Sequence, residues 1–111
     1  MVIYDTNIVS AMETILPCYY ENFIKSDIEL PCITYISNLN EADIDADTQR
    51  VSNIGYTIKL WIDDLADKHY LTDIQNAMWS MGFTLVGTNE IVVDRVIQEV
   101  MNYEAIGLET F

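Results

Sequence analysis

From Ser52 to Asp63 apolar and polar residues alternate without a break, and no other stretch restricts the fold as strongly. Ile54, Tyr56, Ile58, Leu60 and Ile62 fall on one side; Asn53, Gly55, Thr57, Lys59 and Trp61 fall on the other. A period of two is that of a strand whose successive side chains point to opposite faces, one buried and one facing water. A strand with one wet face belongs in an antiparallel sheet, so the rest of the chain must supply partner strands and something apolar to cover the inner face.

Helical spacing supplies the cover. Tyr4, Ile8, Ala11, Met12 and Ile15 recur every three or four residues, which predicts a helix over residues 2–16, capped by Asp5 or Thr6 and stopped by Pro17. Leu71, Ile74, Ala77, Met78 and Met81 make a second apolar stripe over about residues 67–81, and Gly82 stands where a left-handed C-terminal cap belongs. Between them, Cys18–Ile24 reads as a short edge strand. Pro31 opens a second strand, Cys32–Leu39, with Ile33, Tyr35 and Leu39 on one face. Residues 40–52, polar and acidic, read as a long loop.

Phe83–Thr88 reads as a strand ended by a Thr-Asn-Glu turn. Ile91–Ile106 fits helix or strand by spacing, and its β-branched residues favour a strand. The order is helix, strand, strand, strand, helix, strand, strand. This is an α+β fold: a small, mainly antiparallel sheet with two helices packed on one face. At 111 residues it amounts to one domain over 1–111, which leaves no room for a two-domain enzyme.

Charge narrows the partners. Eighteen acidic residues against five basic give a formal net charge of −13, a field that repels phosphate backbones and anionic lipid. Lys25, Arg50, Lys59, Lys68 and Arg95 are scattered, no apolar run approaches bilayer length, and Met1-Val-Ile-Tyr-Asp lacks a basic signal-peptide start. The expectation is a protein made in the cytoplasm, without membrane contact. Cys18 and Cys32 lack a CxxC spacing and read as reduced, buried thiols.

Catalytic chemistry finds little to stand on. His69 is the only histidine and has no nucleophile or orienting carboxylate in a triad-like pattern. Glycines at 55, 82, 87 and 107 are isolated, so there is no phosphate-cradling loop. Asp43, Asp45 and Asp47 alternate like the start of a calcium loop, but Thr48 takes the glycine position and Ile54 that of the bidentate glutamate. With Glu41 they read as a solvated acidic loop. Asp63, Asp64 and Asp67 suit the positive end of the following helix. The expectation is no enzyme, no metal and no cofactor.

Aromatic placement points elsewhere. Trp61 sits on the polar side of the best strand and Trp79 off the main stripe of the second helix. Aromatics so placed serve either an interface or a second hydrophobic layer covered by a helix. The candidate interface or loop residues are thus Glu41, Asp43, Asp45, Asp47, Trp61 and Trp79.

Several stretches taken in order resemble the tail terminator (tail completion) proteins of long-tailed bacteriophages and prophages. They are Leu30-Pro-Cys-Ile-Thr-Tyr followed by the acidic loop, Ser52-Asn-Ile-Gly-Tyr-Thr-Ile-Lys-Leu-Trp-Ile-Asp, the helix closing in Met81-Gly-Phe, and Asn102-Tyr-Glu-Ala-Ile. Order and spacing carry the likeness, over about residues 3–106. The Asp43–Asp47 loop and the Gly107-Leu-Glu-Thr-Phe end depart from the family.

The resemblance implies an α+β virion subunit without catalytic residues. It would form a homo-oligomeric ring, typically a hexamer, at the head-proximal end of the tail tube. Its implied partners are other copies of itself, the tail tube protein and the head–tail connector or stopper, with DNA passing through unbound. It also favours a strand for the last segment. A head-completion or neck connector protein shares the ring habit and small size, and an acidic monomeric protein-binding module is the alternative outside the virion.

Overall fold

Pairing on both sides explains why the alternating segment dominates. In the computed structural model, which describes residues 4–21, 29–44 and 49–110, with side chains over 6–21, 29–37 and 54–105, it is the central strand of five. The elements are α1 (Tyr4–Glu13), β1 (Cys18–Tyr20), β2 (Cys32–Ile44), β3 (Gln49–Ile62), a 3-10 turn (Leu65–His69), α2 (Tyr70–Ser80), β4 (Thr84–Val93) and β5 (Val96–Thr110). The sheet order is β1-β2-β3-β5-β4. Every pair is antiparallel except β1 with β2.

Register places the core. Tyr56 lies opposite Tyr103, Ile58 opposite Tyr35 and Met101, and Leu60 opposite Ile33, so these side chains share one face. Onto that face α1 brings Ile8 and Met12 and α2 brings Ile74 and Met78, all fully buried in one cluster with Ile54–Ile62. Both helices therefore cover a single face, as the spacing predicts. Tyr56 and Phe83 meet edge-on at 5.5 Å, and the Tyr103 hydroxyl donates to Gln75 Oε1 at 2.5 Å, tying α2 to the sheet.

The second helix ends as expected. Gly82 has φ +90°, its N–H donates to Trp79 O at 3.0 Å, and the Phe83 N–H reaches back to Met78 O at 3.0 Å. These two bonds satisfy carbonyls that the last turn leaves open. At its start, Asp64 caps the 3-10 turn by accepting from the Ala66 N–H at 2.9 Å, so α2 itself begins at Tyr70.

Boundaries elsewhere differ from the sequence reading. α1 contains Asp5 and Thr6 rather than starting after them, and near its end the Met12 carbonyl accepts from both the Ile15 and Leu16 N–H groups. The expected loop over 40–52 is largely strand. β2 runs on to Ile44 with an irregularity between Asn40 and Asp43, and β3 begins at Gln49. Strand hydrogen bonds are made by the backbone, and β5 flanks β3 as far as Gln49–Thr110, so pairing overrides a polar composition.

The last hairpin turns later than Thr88-Asn-Glu suggests. Val93 pairs with Val96, and the two-residue turn is Asp94-Arg95, with Asp94 at φ +56°. An aspartate tolerates that conformation and matches the twist of the strands it joins. Ile91 therefore ends up in β4 rather than opening the last segment, which is a strand.

Candidate functional site

Sequence reasoning singled out two tryptophans, and the structure does not bring them together. Trp79 projects from the outer side of α2, 70% exposed, away from the buried Ile74 and Met78. Trp61 lies on the sheet face opposite the helices, directly across from Cys32. Its Nε1–H donates to Thr34 Oγ1 at 2.8 Å. Cys32 and Thr34 are buried, Thr34 completely. The indole thus leans diagonally across β2, as aromatic side chains do between neighbouring strands.

Among the described residues no helix covers this second face. A second hydrophobic layer under a helix, the alternative reading for Trp61, is therefore not what the described residues form. The register gives the face Tyr19 on β1, Thr57 and Lys59 on β3, Asn102 on β5, and Ile91 and Val93 on β4. Thr57 Oγ1 donates to Asn102 Oδ1 at 2.8 Å, and Lys59 pairs with Glu21. Its one described lysine is thus paired, while Tyr19, Ile91 and Val93 stay exposed.

The sheet's edges are also open. β1 covers β2 only over Ile33–Tyr35, leaving the outer side of β2 without a strand partner beyond that point among the described residues. Among the described residues β4 has none on its outer side along its whole length. Val86, Val92 and Val93 are exposed on this strand, more apolar side chain than an isolated sheet edge normally shows. The run Ile91-Val92-Val93 before Asp94 is the sequence signal that a turn assigned at Thr88-Asn-Glu hides.

Of the acidic candidates, Glu41 and Asp43 lie on the β2 backbone, Asp43 opposite Val51. Asp45 and Asp47 lie outside the described residues. No cluster of three potential metal ligands occurs among the described residues. His69 is exposed; its Nδ1 lies 2.8 Å from Ala66 O and its ring packs on Tyr70 at 4.1 Å, a helix-start contact.

One polar cluster escaped the sequence reading. Glu90 and Glu99 face each other directly across β4 and β5, and Lys68 on the 3-10 turn stands 3.5 Å from Glu90 and 3.4 Å from Glu99. The contact with Glu99 and then the charge of Glu90 raise the Lys68 ammonium above its ordinary value. Glu99 is 13% exposed, and its buried Oε1 is the atom that faces the Lys68 ammonium. It borders a groove of about 260 Å³ lined by Leu71, Gln75, Leu85, Thr88 and Met101.

Both thiols are free. Burial pushes Cys18 up to about 12, with Glu13 adding to it, and Cys32 up to about 11. Thiols held that far from ionisation are packing groups rather than nucleophiles. No described helix is long and apolar enough to cross a membrane. No protein-family model matches the chain, and no curated protein is detectably similar to it.

Proposed function

We propose that this chain is a structural subunit of a phage virion, assembling as a ring at the head-proximal end of the tail tube. The ring ends tube polymerisation and offers a surface to the head connector. The observation that carries the reading is the uncovered sheet face with its open β4 edge, where Tyr19, Val86, Ile91, Val92 and Val93 are left to solvent. A face and an edge so exposed suit contact with neighbouring subunits, and repetition of one such contact closes a ring. The resemblance of the sequence to tail terminators supplies the location.

In this reading part of the −13 charge lines the channel, where like charge keeps DNA from adhering as it passes. Reversing Asp43, Asp45 and Asp47 together then impairs DNA passage or head joining while the fold survives. Fully infectious particles from that triple variant would remove the lumen role.

Loss of the chain separates the candidate roles. Particles made without a terminator carry tails of uncontrolled length that do not join heads. Tails of normal length without heads would assign the chain to the head side of the neck instead. Normal, infectious particles would exclude both and leave the acidic binding module.

A further inference from the structure

Resting on the ring reading, we propose the contact that joins copies: the β4–β5 hairpin tip of one copy docks on the groove beside Glu99 of the next, with Arg95 as its cation. Three observations converge on it. The tip is apolar, with Ile91, Val92 and Val93 exposed, and Arg95 stands exposed at its turn. Lys59 and Lys68 have carboxylate partners; Arg95 has none among the described residues. A guanidinium with no ion pair among the described residues, beside exposed valines, suits a carboxylate pair with an apolar recess, and Glu90 and Glu99 of a second copy offer one.

The receiving groove has that chemistry. Two carboxylates share one ammonium, Lys68 lying 3.5 Å from Glu90 and 3.4 Å from Glu99 Oε1, which leaves the trio net negative. Like charges facing each other across a strand pair are unfavourable unless more positive charge arrives. A guanidinium presents several donors in a fixed fork and can serve Glu99 and Glu90 together. Leu71, Leu85 and Met101 line the recess alongside, where a valine of the tip can be buried.

A chain cannot fill its own groove. The Glu90–Glu99 pair lies three residue pairs before Val93–Val96, so about 10–13 Å of strand separates it from the turn that carries Arg95. The tip and the groove are also different surfaces, so the contact is head-to-tail and propagates around a ring.

The test is thiol cross-linking in purified particles that contain the chain. A subunit carrying Val93→Cys at the tip and Thr88→Cys at the groove keeps Arg95, Glu90 and Glu99 and is treated with a short bismaleimide; the half-buried Cys18 and buried Cys32 react slowly. A ladder of cross-linked multimers is expected, with none when Thr88→Cys is replaced by Thr72→Cys on the exposed side of α2. In parallel, Arg95→Glu lowers the share of the chain retained in particles at least tenfold while its melting temperature holds.

Wild-type rings with no ladder, and full retention of Arg95→Glu, would overturn the contact and leave the ring intact. Absence of the wild-type chain from particles would overturn the ring and the contact together.

Discussion

Replacing Tyr103 by Phe tests how α2 is fastened to the sheet, and the effect depends on pH in a way packing alone cannot imitate. The ring of Tyr103 is 1% exposed, and its hydroxyl donates to Gln75 Oε1 at 2.5 Å. Near neutrality the variant loses one hydrogen bond and keeps the ring's packing, a cost of about 1 kcal/mol. Burial raises the phenol to about 12 in the folded chain, from an ordinary value near 10. A group raised on folding contributes fully below its unfolded value, and that contribution is lost as pH climbs through the folded one.

At about pH 11 the unfolded phenol is mostly ionised and the folded one is not, so wild type has lost about 1.4 kcal/mol that Tyr103→Phe never had. The penalty of the substitution therefore shrinks above about pH 10 and vanishes near pH 11. Urea unfolding of both proteins across this range, followed by tryptophan fluorescence, gives the difference directly. Every other group is common to both proteins and cancels in the difference. A penalty constant from neutral pH to about pH 11 would refute the argument that the buried hydroxyl sets the alkaline limit.

Ile58 is fully buried at the centre of the sheet, so Ile58→Ala should cost about 3 kcal/mol in the same unfolding assay; a loss below about 1 kcal/mol would mean the core lies elsewhere. With Cys18 and Cys32 raised to about 12 and about 11, their reaction with an aromatic disulfide at mildly alkaline pH should be at least about a hundredfold slower than that of a free thiol until denaturant is added. Trp79→Ala should leave the melting temperature within about a degree or two of wild type, since the side chain is 70% exposed, yet reduce incorporation into particles; equal incorporation would remove Trp79 from the assembly surface.

The fold was legible wherever one side of an element is buried. Ile54, Tyr56, Ile58, Leu60 and Ile62 are all core, as their alternation requires, and Ile74 and Met78 form the buried line of α2. Gly82 marked a helix end because few other residues adopt its backbone angle. Illegible were the stretches where pairing, not side-chain burial, makes the strand. The polar arm of β2 beyond Leu39 and the true turn at Asp94-Arg95 follow from the register with β3 and β5, which no local pattern encodes.

The candidate surface was legible only in part. Trp61, the one aromatic on the polar side of the alternation, stands on the sheet face that no described helix covers. The Lys68–Glu90–Glu99 cluster joins three elements far apart in sequence, and only the fold brings them together. Arg95 became notable once every other described cationic side chain was seen to have a carboxylate beside it.

Electron cryomicroscopy of purified particles decides whether this chain forms the proposed ring between tail tube and head connector. One closed ring of copies is expected at the head-proximal end of the tube, with sheet faces and β4 edges buried between neighbours. Density for the chain elsewhere in the particle, or none at all, would contradict it.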